Sequence, residues 1–153
     1  MRRQTHITFF ACCWLVGLLG LGSACKKIPP PDPGKPVLEL MSFDPLEMHS
    51  FDNNPRLVLK YTDYGGDVGD ADPDIKSLSI KDSRLAEPDW FHIPPITPSG
   101  EEVPITGTFE VHLPALYVLG NGTYEACFFT LQLKDRAGNT SEEIITPTIN
   151  IYR

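Results

Sequence analysis

The last 27 residues, "CFFTLQLKDRAGNTSEEIITPTINIYR" (Cys127 to Arg153), decide how the chain is read. Cys127, Phe129, Leu131 and Leu133 fall at every second position, and Ile149 and Ile151 repeat the pattern near the end. A period of two places alternate side chains on one face of an extended strand, so one face is buried and the other solvated. Between the two apolar sets lies "DRAGNTS". Gly138 and Asn139 tolerate positive φ and Asp135 can bond its own turn, which joins the strands. Pro147 lies within the last strand, and a residue without an N–H predicts a sheet edge or a bulge there.

The same alternation extends upstream. "RLVLKYT" (Arg56 to Thr62) groups Leu57, Leu59 and Tyr61, and "KSLSIKD" (Lys76 to Asp82) groups Leu78 and Ile80. "TFEVHLP" (Thr108 to Pro114) groups Phe109, Val111 and Leu113, and "VLELMSF" (Val37 to Phe43) adds a further strand. A short seventh strand is expected within residues 89–103. No stretch carries an amphipathic helical period, because prolines and glycines recur too often, and no internal repeat is present. Short strands separated by turn signals indicate an all-β, antiparallel sandwich over residues 37–153, long enough for one core.

The segment "LQLKDRAGNTSEEIITPTINI" (Leu131 to Ile151) resembles the final hairpin of fibronectin type III and bacterial immunoglobulin-like domains, where an apolar strand ends in Asp-x-Ala-Gly-Asn-x-Ser. The resemblance implies an immunoglobulin-like sandwich of about seven strands, with Tyr124 as the candidate for that family's conserved tyrosine. It bears on fold and does not assign a function.

Upstream of the sandwich the sequence reads as an address. Arg2 and Arg3 precede an uncharged apolar run, Ile7 to Gly22, and "GSA" supplies small residues before Cys25. Positive charge, apolar stretch and small residues in that order mark residues 1–24 as a secretory signal peptide. Ile7 to Ala24 counts 18 residues, within the roughly 17–25 that span a bilayer, so an uncleaved single-span anchor is the alternative. "LGSAC" resembles the lipobox of bacterial lipoproteins, which implies cleavage before Cys25 and acylation of its thiol. Residues 25–36 carry this cysteine and "KKIPPPDPGKP", where five prolines in eleven residues favour an extended spacer. At about 3.1 Å per residue it spans on the order of 30 Å.

Charge and cysteines fit this division. The whole chain carries −7; all 20 acidic residues follow Cys25, whereas two of the 13 basic ones precede it. The processed form therefore holds eleven basic against twenty acidic residues, a net −9. Such a body lacks the clustered Lys and Arg that nucleic-acid binding requires. Cys12 and Cys13 leave with the signal and Cys25 takes lipid, so Cys127 has no disulfide partner.

Two stretches are candidate sites. "DYGGDVGDADPD" gathers Asp63, Asp67, Asp70, Asp72 and Asp74, a candidate calcium loop in which Gly65, Gly66 and Gly69 let backbone carbonyls turn inward. Its spacing is not an EF-hand, since Ile75 and Lys81 replace the needed glycine and glutamate. The competing reading is an acidic solvated loop; similar Asp/Gly-rich loops resemble those of Bacteroidota-type surface lipoproteins. "DWFHIPPITP" exposes Trp90 and Phe91, as a platform for a sugar ring or a partner protein, or as a cover over an open end of the sandwich. Nothing resembles a nucleophile elbow, and His49, His92 and His112 have no metal-ligand spacing. The expected role is non-catalytic: a binding or structural component of a Gram-negative envelope, anchored by lipid at the outer membrane, with glycan or envelope protein as partner. Calcium rigidification of a structural component is the alternative.

Overall fold

The computed structural model describes residues 32, 34–52, 54–97 and 103–153. The signal peptide, Cys25 and most of the Pro-rich spacer lie outside the described residues. Pro36 is buried and β1 begins at Val37.

Ten strands and no helix form among the described residues, so no helix there is long and apolar enough to cross a membrane. They are β1 (Val37–Asp44), β2 (Glu47–His49), β3 (Arg56–Asp63), β4 (Leu78–Asp82), β5 (Asp89–Phe91), β6 (Ile105–His112), β7 (Tyr124–Cys127), β8 (Phe129–Leu133), β9 (Ile144–Ile145) and β10 (Ile149–Tyr152). Three sheets result, in the orders β1-β3-β6, β5-β4-β8-β9 and β2-β10-β7. Every pairing is antiparallel except β10 with β2.

The alternation read from the sequence sets the inward faces. Leu57, Leu59 and Tyr61 of β3, Leu78 and Ile80 of β4, Phe129, Leu131 and Leu133 of β8, and Ile149 and Ile151 of β10 share one core. Phe43 of β1 meets Phe129 edge-on, with centroids 5.8 Å apart, so the core joins elements of two sheets. On the β3–β6 pair Tyr61 lies opposite Gly107, and a Cβ there would collide with the tyrosine ring. The glycine is the space into which Tyr61 folds, and burial pushes the Tyr61 pKa up.

Four features depart from the sequence expectation. The strand beginning near Cys127 is two strands: β7 pairs with β10 and β8 pairs with β4 and β9, the chain passing between sheets at Phe128. Cys127 and Phe129 both remain buried, so the period of two survives the change of sheet and hides it from the sequence. Pro147 lies between β9 and β10 rather than within a strand, and β10 is central in its sheet, not an edge. Without an N–H, Pro147 cannot continue the β8–β9 ladder, and the chain leaves that sheet there. The three-residue β2 and two-residue β9 are too short to show periodicity. Finally, the Tyr124 hydroxyl donates to the Asn150 side chain at 2.9 Å, not to the upstream backbone that the family's tyrosine uses.

Leu131 is fully buried at the centre of β8. Leu131→Ala is expected to cost about 2–5 kcal/mol of unfolding free energy, read as a lower urea midpoint at unchanged slope.

Candidate functional site

Of the five aspartates read as a calcium loop, the fold gathers two. One carboxylate oxygen each from Asp63, Asp67 and the unforeseen Asp135 lie within 4.8 Å of one another. Asp63, at the end of β3, is only 1% exposed. Its Oδ1 accepts the Gly65 N–H at 3.1 Å, and its Oδ2 accepts those of Asp67 and Val68 at 2.7 and 3.1 Å. Asp135 accepts both the N–H and the side-chain amide of Asn139, at 2.7 and 2.9 Å. Asp67 reaches across: its Oδ2 accepts the Ala137 N–H at 2.9 Å and its carbonyl accepts that of Arg136 at 3.1 Å. Asp63 braces its own loop and Asp135 its own turn, while Asp67 fastens the loop after β3 to the turn after β8.

Burial raises the Asp63 pKa above the usual carboxylate value; the N–H donors of Asp67, Gly65 and Val68 oppose this, and the Asp67 charge adds to it. Its protonated form therefore contributes stability below the unfolded pKa, lost as pH rises through the folded one.

The other three aspartates do not join this group. The Asp72 N–H donates to Asp70 Oδ1 and the Asp74 N–H to Asp72 Oδ1, both at 2.9 Å, a run of local turns with Asp72 and Asp74 exposed. The glycines serve close packing rather than inward carbonyls. Gly66 and Gly69 have φ of 70° and 83°, and a Cβ on either would strike the backbone of Val103 or of Ile93 and Pro94.

The fold also separates Trp90 from Phe91. As neighbours in β5 they face opposite ways. Trp90 is half exposed and opposes Ser79, while Phe91 lines a cleft of about 300 Å³ with Phe109, Ile93, His92 and His112. The cleft lies between β5 and β6, the margins of two different sheets.

Sequence reasoning missed the strongest charged group. Arg84 follows β4, with a side chain 13% exposed; its guanidinium meets Asp82 at 2.7 Å and Glu125 at 3.0 Å. Arg84 Nη1 also donates to the Tyr117 carbonyl at 2.8 Å, and Glu125 accepts the N–H groups of Leu119 and Gly120. Burial works against the Arg84 charge, but the bonds to Asp82 and Glu125 outweigh it and raise its pKa. The Leu119 and Gly120 donors lower the Glu125 pKa, with Arg84 assisting. Beside this group, burial pushes the Cys127 thiol up to about 11, so at neutral pH it is a protonated core side chain and not a nucleophile. Glu125 lies 41 residues from Arg84, so no local pattern links the two.

Aromatic rings gather at one end. His49, Tyr152 and Tyr124 are cross-strand neighbours on the exposed face of β2-β10-β7, with centroids 5.9 and 5.4 Å apart. Beside them Phe51, 67% exposed with φ 65°, stacks on Tyr117 at 4.9 Å. These rings come from four distant segments, so no local pattern announced them.

No protein-family model matches this chain, and neither a curated protein nor a solved structure matches it.

Arg84→Leu leaves Asp82 buried and unpaired, and is expected to cost about 3–5 kcal/mol in a denaturant titration. Asp63→Asn sets an amide donor against backbone N–H groups and is expected to cost about 1–3 kcal/mol. Because the carboxylates already accept backbone N–H groups, melting curves with millimolar calcium and with chelator are expected to coincide. A calcium-dependent rise abolished by Asp67→Asn would instead place a cation among Asp63, Asp67 and Asp135.

Proposed function

We propose that this chain is a lipid-anchored, non-catalytic component of a Gram-negative cell envelope. It displays an immunoglobulin-like sandwich at the outer membrane, as a binding or structural module. The observation that carries the reading is the seam at Cys25. An apolar signal-like run ends in small residues, a cysteine follows, and a proline-rich spacer runs directly into β1. A single acyl chain holds a protein only marginally, so durable attachment needs the multiple acylation that lipoprotein processing supplies.

The immunoglobulin-like part of the reading is supported by strand order. β1-β3-β6 against β5-β4-β8-β9 corresponds to the A-B-E and C-F-G layers of such sandwiches, with β5 as an added margin strand. The parallel β2–β10 pair joins an early strand to the last one. A binding role is supported by exposed rings rather than by any reactive group. The row His49, Tyr152 and Tyr124, the Phe51–Tyr117 stack and half-exposed Trp90 offer ring faces beside polar groups such as Asn150. Such surfaces suit a sugar ring or a partner protein's apolar anchor.

Metabolic labelling with an alkyne palmitate analogue tests the anchor. Wild-type protein is expected to label and to partition into membranes, and Cys25→Ala to lose both properties. Equal labelling of the two would refute the assignment.

A further inference from the structure

Cations are distributed unevenly over this acidic body. Among the described residues Lys35, Arg56, Lys60 and Arg84 each meet a carboxylate. Lys76, Lys81, Lys134, Arg136 and Arg153 meet none there. Three of these, Lys76, Lys134 and Arg136, line one polar cavity of about 180 Å³.

The cavity opens where the β4–β8 ladder ends. Leu78 opposes Leu133, and one step further the Lys134 N–H donates to the Ser77 carbonyl at 2.7 Å. Beyond that bond Lys76 belongs to the end of the Asp-rich loop and Arg136 to the turn after β8. Lys76 Nζ donates to the Pro73 carbonyl at 2.6 Å, and Arg136 Nη1 to the Gly69 carbonyl at 3.0 Å. Each head group is positioned by that bond and keeps further donors, since an ammonium has three N–H groups and a guanidinium five. Two carboxylates also line the cavity, and both serve other donors. Asp70 Oδ1 accepts the Asp72 N–H at 2.9 Å, and Asp135 accepts the N–H and the amide of Asn139.

A further donor comes from a buried residue. Ser77 is 5% exposed and lines the same cavity. Its hydroxyl makes no hydrogen bond among the described residues, whereas every side-chain nitrogen or oxygen sealed from solvent there has a partner. The hydroxyl is therefore reached through the cavity, as a donor for which the protein supplies no acceptor.

We propose that this cavity binds a single phosphate group, carried by a small soluble molecule or by a lipid headgroup. A planar carboxylate suits one guanidinium fork, whereas donors converging from two separate loops suit a tetrahedral oxyanion with oxygens pointing several ways. A phosphate monoester carries about −1.5 to −2 at neutral pH, so it gains more than a carboxylate from three cations. The cavity exceeds several-fold the roughly 30 Å³ that one water occupies, which leaves room for such a group. Asp70, Asp135 and the acidic body around them disfavour an extended polyanion. The inference is independent of how the chain is anchored and of its aromatic surfaces.

Phosphorus-31 NMR on the full-length protein in non-ionic detergent tests it, with inorganic phosphate as the probe. Wild-type protein is expected to broaden the phosphate resonance saturably. Lys134→Ala and Lys76→Ala are each expected to weaken the apparent affinity about tenfold, the loss of one charge-assisted hydrogen bond, with the circular dichroism spectrum unchanged. Lys81→Ala removes an equal charge from the exposed side of β4, outside the cavity, and is expected to leave the affinity unchanged. Dihexanoyl phosphatidic acid, a soluble headgroup carrier, distinguishes the source: tighter binding than inorganic phosphate assigns the site to a lipid, weaker binding to a soluble phosphate. No saturable broadening with either probe would overturn the inference. Wild-type affinity in both Lys134→Ala and Lys76→Ala would overturn it too, as would an equal loss in Lys81→Ala.

Discussion

Arg84 is enclosed by Asp82, Glu125 and the Tyr117 carbonyl, and the arrangement of sheets turns on that contact. It sits where the chain from Tyr124 to Leu133 leaves one sheet for another. Ser83, its neighbour, holds the crossing itself: the Phe128 N–H donates to the Ser83 hydroxyl at 3.1 Å, and the Ser83 N–H to the Phe128 carbonyl at 2.9 Å. The guanidinium then reaches back to Glu125 in β7, which anchors the backbone of Leu119 and Gly120. A single turn after β4 thus fixes β7, β8 and the connection from β6. Buried charge without its partner is costly enough that alternative placements of this turn are disfavoured.

A second carboxylate group does comparable work elsewhere. Asp63, Asp67 and Asp135 bind backbone N–H groups of two loops that carry little apolar mass of their own. The acidic character of the loop is therefore used for hydrogen bonding. Its glycines are required because Val103, Ile93 and Pro94 lie against them. With both groups satisfied internally, the aromatic end around Phe51 and Tyr152, half-exposed Trp90 and the cleft between β5 and β6 stand open among the described residues.

Much of the strand pattern was legible because the inward faces of β3, β8 and β10 follow a period of two. Leu57, Leu59, Phe129, Leu131 and Ile151 are buried as the alternation requires. The turn at Asp135 to Asn139 was legible as well, since it depends on contacts within five residues; Gly138 has φ 93° and Asp135 bonds Asn139. The candidate sites were less so. Asp63 and Asp67 meet Asp135, some 70 residues away, while Asp70, Asp72 and Asp74 bond only their own turns. Trp90 and Phe91, adjacent in sequence, serve opposite faces.

By itself the sequence determined the all-strand class, the inward residues and the turn after β8. Each is a matter of local conformational preference or of side-chain alternation, which neighbouring residues suffice to specify. Only the tertiary structure decided which sheet each strand joins, why one strand becomes β7 and β8, and which distant carboxylates converge. Period two is the same in either sheet, and a charged side chain carries no mark of its partner; pairing is settled when the packed core fixes which segments lie side by side.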